Sequence, residues 1–318
     1  MSYIGELNAD KEIIDGNRKI IIYGIGGYGD KIYRNLAIYD KQKNVMAFVD
    51  KSPERYKGGA FCSIPIISVE KAIKEYQDTI ICIGGEMPEN IKDLELLCGM
   101  NNIHQIVFNI NCKLYGTEYG GFYLPVNFRI DNSIIYSFGI GEDISFSEAV
   151  IKAGGVVYAF DPTPKAIKYV EQHEIFSTPN FHFFPFGLSD KDEKEVFYLP
   201  KRQDWVSGSA ILHQYVNGEN IVEVEMKTLR SIMKELGHDH IDVLKMDIEG
   251  SEFKVTKNLM NPKLETIDFK VCLMETHERF FAPKEREYID ELYSIMRENG
   301  FYDLYGTAKE PTFINAQI

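Results

Sequence analysis

A chain of 318 residues exceeds the usual size of a single hydrophobic core, so two domains are expected. The formal net charge of -13 argues against nucleic acid as the main partner, because its phosphates require clustered lysines and arginines. The five cysteines are widely spaced and form no CxxC pair, which is typical of reduced thiols in a cytoplasmic protein. No stretch approaches the roughly 20 apolar residues that cross a bilayer, so no membrane partner is expected.

The first third of the chain alternates between β-rich and amphipathic runs. Strands are predicted at 19–24, 45–49, 79–83 and 104–108, with helices at 28–39 and 87–97. Such alternation predicts a parallel sheet covered by helices. We assign residues 1–110 to a small Rossmann-like domain of the nucleotide-binding type. Residues 111–130 are rich in Gly, Tyr and Asn, lack a clear period, and are predicted to form a connector.

A second alternating series fills residues 131–318. Strands are predicted at 134–138, 156–160, 181–184, 241–246 and 269–275, and helices at 144–152, 164–172, 228–236, 252–259 and 286–299. Two strand-like pieces, at 196–199 and 221–226, interrupt the series. Residues 301–305 and 312–315 are expected to pair as a terminal antiparallel hairpin. The predicted fold class is therefore α/β, with two Rossmann-like domains.

The first glycine loop follows the first predicted strand. Gly24, Gly26 and Gly29 satisfy G-x-G-x-x-G, and Asp50 ends the next strand, where an acid can bind ribose hydroxyls. The alternative is that these glycines only allow close packing of helix on strand. The domain also resembles the small Rossmann-like domains attached to sugar-modifying enzymes, which suggests a nucleotide or nucleotide-sugar ligand. The segments that carry this resemblance are Phe48-Val-Asp50 and Ile64-Pro-Ile66.

The second glycine loop ends the strand predicted at 134–138. It lacks the third glycine of the dinucleotide fingerprint, so a pyrophosphate would be poorly cradled. Glu142 and Asp143 would repel a diphosphate, but they suit the sulfonium and ammonium groups of S-adenosylmethionine. The candidate cofactor residues of this loop are Ser137, Gly139, Gly141, Glu142 and Asp143.

Three further residues are predicted to contact the cofactor. Asp161 follows the strand at 156–160, where a carboxylate can accept hydrogen bonds from both ribose hydroxyls. It can also cap the following helix, which has Pro162 at its start, and the two roles are compatible. Gly187 follows an aromatic strand whose end can receive an adenine.

A strand end near residue 247 carries the candidate catalytic groups. Lys245, Asp247 and Glu249 alternate, which predicts one shared face at the carboxyl edge of the sheet. Methyl transfer to a hydroxyl requires a base or a metal, and Asp247 is the first candidate base, with Glu249 second and Lys245 as charge partner. His277, reached through Glu275, is a rival base. The alternative role of Lys245 and the carboxylates is a structural ion pair. Asp247, Glu275 and His277 could also hold a divalent cation, but no metal is predicted.

The second half resembles the FkbM-type methyltransferases over about residues 122–314. The resemblance implies a class I methyltransferase sheet, S-adenosylmethionine as cofactor, and O-methylation of a sugar or another hydroxyl-bearing small molecule. Many members have Asp-x-Gly-Ala-Asn at the first loop where this chain has Ser137-x-Gly139-Ile-Gly141, and Asp143 is a candidate replacement for that acid. The matching segments are Ile134–Gln172, Pro185–Asp190, Leu244–Glu252 and Glu275–His277.

The sequence thus predicts an S-adenosylmethionine-dependent methyltransferase. Its acceptor would be a small molecule, a sugar or a nucleotide sugar among the candidates, and a homo-oligomer remains open. The alternative function is an NAD- or nucleotide-sugar-binding protein that acts through the N-terminal domain, because Gly24 to Gly29 with Asp50 is the more complete fingerprint.

Overall fold

The computed structural model divides the chain into two compact units. The first comprises Met1–Ile110 and Asp303–Ala308, and the second comprises Asn111–Tyr302 and Lys309–Ile318. Within the described part of the chain, none of the helices has the length and apolar character that a membrane span requires. The structure describes residues 13, 16–25, 27–36, 41–56, 58–83, 99, 103–105, 112–202, 207–306 and 310–315.

The first unit contains a six-stranded, mostly parallel sheet. Its strand order is β3-β4-β2-β1-β5-β6, and only the β3–β4 pair is antiparallel. Helix α1 ends at Asn35; residues 37–39 of the helix predicted there, and the helix predicted at 87–97, lie outside the described residues. The elements are β1 (Ile20–Tyr23), α1 (Gly27–Asn35), β2 (Val45–Val49), β3 (Ala60–Phe61), β4 (Ile64–Ile67), α2 (Val69–Glu75), β5 (Ile80–Ile83) and β6 (Ile103–Gln105).

The predicted connector at 111–130 is wrong in part, because it contains a hairpin. Strands β7 (Cys112–Tyr115) and β8 (Phe122–Pro125) pair antiparallel. Leu124 is fully buried, and the ring of Phe122 packs edge-on against Phe146, with ring centroids 5.8 Å apart. The short strands and their glycine-rich turn hide the two-residue period by which a longer strand is recognised.

The second unit is built on a seven-stranded sheet with the order β11-β10-β9-β15-β16-β18-β17. The first five are parallel, β18 is antiparallel to β16, and β17 lies beside β18 at the edge. This confirms the class I methyltransferase sheet and the adjacent terminal strands. The strands are β9 (Ile134–Phe138), β10 (Val156–Phe160), β11 (Phe181–Phe184), β15 (His240–Met246), β16 (Asp268–Met274), β17 (Phe301–Gly306) and β18 (Pro311–Asn315).

Helices connect these strands and close the core. Helix α5 begins after Thr228, whose side chain accepts a hydrogen bond from the Ser231 amide, and it ends at Gly237, which adopts the left-handed conformation typical of helix termini. Phe138 and Phe160 stack in the core with ring centroids 4.4 Å apart. The helices are α3 (Ser145–Lys152), α4 (Pro164–Gln172), α5 (Leu229–Leu236), α6 (Glu252–Leu259) and α7 (Glu285–Glu298).

A small three-stranded sheet interrupts the main series between β11 and α5. It consists of β12 (Gly187–Leu188), β13 (Glu193–Pro200) and β14 (Val216–Lys227), in the order β12-β14-β13. The two long strands are antiparallel and bury Phe197 and Met226 on one face. Residues 203–206, between the two long strands, lie outside the described residues. This small sheet forms one wall of the cavity considered next.

Candidate active site

A cavity of about 730 Å³ lies in the second unit at the carboxyl edge of the main sheet. Its floor is formed where β9, β10, β15 and β16 end, and the β13–β14 hairpin contributes a side wall. Open α/β sheets bind ligands at this edge, because parallel strands direct their carboxyl ends and the following loops there. The cavity is therefore the candidate active site.

The glycine loop is held against the end of β15. Gly139 has a φ of 78°, and a β-carbon at this position would lie 1.8 Å from the carbonyl oxygen of Asp247. Only glycine permits this close approach of two backbones. The ammonium of buried Lys245 donates to the carbonyl oxygens of Phe138 and Gly139. Lys245 thus stabilises the loop and also lines the cavity.

Asp161 binds the loop and the start of α4. One carboxylate oxygen accepts from the amides of Ile140 (2.8 Å) and Gly141 (3.0 Å), and the other accepts from the amide (2.8 Å) and hydroxyl (2.6 Å) of Thr163. These contacts show that Asp161 holds the loop and the helix start, a role that is compatible with the predicted hydrogen bonds to the ribose hydroxyls, and ribose binding stays a prediction.

Asp143 is similarly engaged. Its carboxylate accepts from the hydroxyl of Thr117 at 2.9 Å and from the amide of Ser145 at 2.8 Å. Burial alone would raise the pKa of Asp143, but the hydrogen bonds from Ser145 and Thr117 outweigh it and lower the pKa. Asp143 therefore connects the β7–β8 turn to α3, whereas the neighbouring Glu142 is exposed on the cavity wall.

The remaining predicted cofactor residues differ in position. Ser137 is only 1% exposed inside β9 and is not among the described residues that line the cavity, so the structure does not support its predicted contact with a cofactor. The loop begins two residues later, at Gly139, because β9 continues through Phe138. Gly141, Pro162 and Gly187 do line the cavity.

Gly141 and Gly187 meet different surroundings. A β-carbon at Gly141 would have nothing within 4 Å, whereas one at Gly187 would lie 2.6 Å from the sulfur of Met226. Glycine at position 187 therefore allows the close packing of the wall against Met226 and Pro162.

Four acids surround one histidine at the ends of β15 and β16. We call the set Asp247, Glu249, Glu252, Glu275 and His277 the acidic cluster. His277 is 1% exposed, and its Nδ1 lies 2.9 Å from a carboxylate oxygen of Glu252. Its Nε2 faces the carboxylate oxygens of Glu249 (3.4 Å), Glu275 (3.6 Å) and Asp247 (3.8 Å). The structure thus brings together the predicted residues Asp247, Glu249 and His277, with Lys245 at 3.8 Å from Asp247.

The charges of the cluster shift the pKa values of its members. Burial would lower the pKa of His277, but the charge and hydrogen bond of Glu252, with the other acids, outweigh it and raise the pKa to about 10. Burial and the charge of Asp247 raise the pKa of Glu275 to about 7. A protonated His277 donates protons and does not accept them, which disfavours the prediction that it is a base.

Glu252 was not among the residues predicted to carry the chemistry, and Glu275 was considered only as a possible cation ligand beside Asp247 and His277. Glu252 begins α6, is fully buried, and accepts from the amides of Ile248 and Gly250, both at 2.9 Å. A glutamate directly after a glycine turn at a helix start was the available signal. Glu249 adopts a φ of 52°, which is uncommon for a residue with a side chain, and its carbonyl accepts from the hydroxyl of Ser209 at 2.7 Å.

The cavity carries a marked excess of negative charge. Among the described residues that line it, six carboxylates stand against the positive charges of Lys245, Arg279 and, because its pKa is raised, His277. A diphosphate is therefore disfavoured, and a ligand with positive groups, such as S-adenosylmethionine, fits the donor set. Among these acids, Asp247 and Glu275 also offer ligand atoms, together with His277, that all lie within 4.8 Å of one another and could hold a metal ion. The six carboxylates belong to Glu142, Asp143, Asp161, Asp247, Glu249 and Glu275.

The predicted N-terminal nucleotide site is described in part. A β-carbon at Gly29 would lie 2.0 Å from the carbonyl oxygen of Gly24, so glycine permits close packing there, as the alternative interpretation requires. Asp50 accepts from the amide of Ser52 at 2.8 Å and from the hydroxyl of Tyr56 at 3.4 Å. Gly26 lies outside the described residues. Nucleotide binding at this loop stays a prediction.

Two curated proteins are similar to part of this chain. The probable methyltransferase-like protein 24 of Homo sapiens is 26% identical over 168 residues, which are 52% of this chain and 39% of the human protein. The Rattus norvegicus protein of the same name is 26% identical over 181 residues, 56% of this chain and 43% of the rat protein. The match thus spans less than half the length of these relatives.

A solved structure and a family model complete the comparison. The fibrillarin pre-rRNA processing protein of Methanococcus jannaschii aligns with a TM-score of 0.34 and 13% identity, over 59% of this chain and 67% of that one. The model of the methyltransferase FkbM domain matches residues 134–302, which hold the cavity and its acidic cluster. This match disfavours the alternative in which the N-terminal domain carries the main function. More than half of the chain fits the model, the resemblance seen in the sequence is confirmed, and the chain belongs to the FkbM methyltransferase family.

Proposed function

We propose that this protein transfers a methyl group from S-adenosylmethionine to a hydroxyl of a small molecule, such as a sugar. The observation that carries the proposal is a cavity at the carboxyl edge of the sheet in which, among the described lining residues, six carboxylates outnumber the positive groups of Lys245, Arg279 and His277. The same charge opposes a diphosphate, so within the predicted acceptors a plain sugar is favoured over a nucleotide sugar.

The residues suited to hold the cofactor surround the glycine loop. Gly139 and Gly141 keep its backbone close to β15 and its inner face open, and the exposed Glu142 offers a carboxylate to a positive group. Pro162 and Gly187 line the neighbouring wall. When bound, S-adenosylmethionine would supply a methyl group activated by its positive sulfur.

The acidic cluster is suited to the proton of the acceptor. Transfer of the methyl group to the acceptor oxygen would leave S-adenosylhomocysteine and would require the hydroxyl to lose its proton. Asp247 and Glu249 line the cavity and can accept that proton, while Glu252 fixes His277 behind them. Asp247 stays the first candidate base and Glu249 the second.

Binding measurements test the proposal directly. We expect isothermal titration of the full chain with S-adenosylhomocysteine to show one site, and titrations with NAD or UDP-glucose to show none at the cavity. Asp161→Ala removes the acceptor that holds the loop amides, so the affinity for S-adenosylhomocysteine should fall at least about tenfold, the equivalent of one charged hydrogen bond.

The matched control is Asp131→Ala, which removes an exposed carboxylate that does not line the cavity. Its affinity should equal that of the wild type. Absence of S-adenosylhomocysteine binding by the folded wild-type chain, or equal affinities for the two variants, would contradict the proposal.

A further inference from the structure

We infer that Asp247, Glu275 and His277 bind a divalent cation. An oxygen of the acceptor completes the coordination of that cation. The binding site itself is argued from the geometry of the three side chains. The part played by the acceptor rests on the proposed function.

The three ligand positions follow from the sheet. Asp247 comes directly after β15 and Glu275 directly after β16, and these parallel strands pair Met246 with Met274 in register. The amide of Glu275 donates to the carbonyl of Met246 at 2.9 Å, so the two acids begin side by side. His277 follows two residues later, and one atom from each of the three groups lies within 4.8 Å of the others.

These groups differ from the other acids of the cavity in what already binds them. The carboxylates of Asp143, Asp161 and Glu252 accept hydrogen bonds from amides or hydroxyls. Those of Asp247 and Glu275 accept no hydrogen bond from the described residues, although each side chain is about two-thirds buried. Their cationic neighbours lie beyond hydrogen-bond distance, with Lys245 3.8 Å from Asp247 and Arg279 3.9 Å from Glu275. Acceptors buried to this extent normally have a partner at hydrogen-bond distance, so a further ligand between the two acids is expected.

The histidine supplies a second, independent indication. His277 is buried and presents Nε2 to the carboxylates of Asp247, Glu249 and Glu275 at 3.4 to 3.8 Å. Among the residues that the structure describes, Nε2 makes no hydrogen bond. A divalent cation bound between this nitrogen and the carboxylate oxygens would replace the proton that Nε2 carries without a metal.

Glu252 orients that nitrogen. Its carboxylate binds Nδ1 of His277 at 2.9 Å and is itself fixed by the amides of Ile248 and Gly250. Metal-binding histidines usually have their second nitrogen bound to a carboxylate in this way, which fixes the ring and its tautomer. Glu252 is therefore a positioning residue for the site.

The donor set indicates the kind of cation. Two carboxylates and one imidazole suit Mn²⁺ or Zn²⁺ better than the all-oxygen sites of Ca²⁺. Three protein ligands leave positions open toward the cavity, as catalytic sites require. A hydroxyl oxygen bound there becomes more acidic, which is the second way in which methyl transfer to oxygen can be assisted.

Titration with Mn²⁺ tests the site without any cofactor. We expect electron paramagnetic resonance of the chelator-treated full chain to show one bound Mn²⁺, which Zn²⁺ displaces. Asp247→Asn and Glu275→Gln should each weaken Mn²⁺ at least about tenfold, and Glu252→Gln by a smaller factor. Glu278→Gln, which removes a nearby carboxylate bonded to Thr276 and outside the cavity, should leave the affinity unchanged.

Two further readouts keep the inference testable if a variant does not fold. Mn²⁺ should raise the unfolding temperature of the wild type, and crystals soaked in Mn²⁺ should show an anomalous peak among the three side chains. No Mn²⁺ binding by the wild type, or binding that both ligand variants retain, overturns the inference and leaves His277 as the centre of a structural ion pair. Because S-adenosylhomocysteine is titrated separately, a chain that binds it but not Mn²⁺ refutes only the cation site, and the reverse result refutes only the proposed cofactor.

Discussion

The carboxylates of the cavity fall into two groups according to the donors around them. Both oxygens of Asp161, and both of Asp143, accept hydrogen bonds from an amide or a hydroxyl. These two acids therefore stabilise the loop and the turn beside it. Asp247 and Glu275 are left facing the cavity. A sequence shows that an acid follows a strand, but not whether neighbouring amides already occupy it. For that reason the sequence could not show that Asp161 also holds the amides of the glycine loop.

Glu249 allows backbone strain to be separated from side-chain chemistry. At its φ of 52°, a residue with a β-carbon is less stable than glycine by about 1 kcal/mol. Glu249→Gln keeps the strain, whereas Glu249→Gly removes it together with the side chain. We expect Glu249→Gly to be at least as stable as Glu249→Gln in urea unfolding, although both should lose methyl-transfer activity. A glycine variant that is less stable by more than about 1 kcal/mol would argue that the side chain stabilises the fold.

The ends of several strands and helices were predicted to the residue. The predicted and observed bounds agree for β9, β10, β11, α4 and α6. Their pattern is local, so the sequence contains it. The order of the strands, and hence the meeting of Asp247 with Glu275, depends on pairing across the chain. The β7–β8 hairpin was missed for the same reason, because its burial depends on Phe146 of α3.

The junction between the glycine loop and β15 gives a prediction at this scale. Gly139→Ala would bring a β-carbon to 1.8 Å from the Asp247 carbonyl and would also strain a φ of 78°. Because backbone on both sides must move, we expect a loss of about 3 kcal/mol in the free energy of unfolding and a loss of S-adenosylhomocysteine binding. Urea unfolding and isothermal titration measure the two effects.

Two glycines with positive φ and open surroundings serve as controls for Gly139. Gly237→Ala, at the end of α5, carries the same kind of strain without a clash and should lose only about 1 kcal/mol. Gly141→Ala should match it in stability while its methyl group enters the cavity. Equal losses for Gly139→Ala and Gly237→Ala would show that the close approach of the two backbones is relaxed in solution.

For the whole molecule, the chain holds two glycine loops that follow parallel strands, one in each unit. The sequence motif is more complete in the first unit, yet the family model matches the second, where the cavity lies. A glycine motif records only that backbones approach closely, which packing and ligand binding both require. The lining charges of a cavity carry the information about a ligand that the motif lacks.

If the second unit alone binds the cofactor, a substitution in the first glycine loop should not change the affinity for the cofactor. Gly29→Ala would bring a β-carbon to 2.0 Å from the Gly24 carbonyl, so we expect the first unit to lose about 1–3 kcal/mol of stability. Hydrogen exchange should then show weaker protection of β1 and unchanged protection of β9. The affinity for S-adenosylhomocysteine should stay within about twofold of the wild-type value, a difference of less than about 0.5 kcal/mol.

Gly59→Ala controls for backbone strain in the same unit, because Gly59 has a φ of +62° and open space around it. If Gly29→Ala weakened cofactor binding tenfold while β9 stayed protected, the first unit would contribute to the site, and the assignment of function to the second unit alone would be wrong.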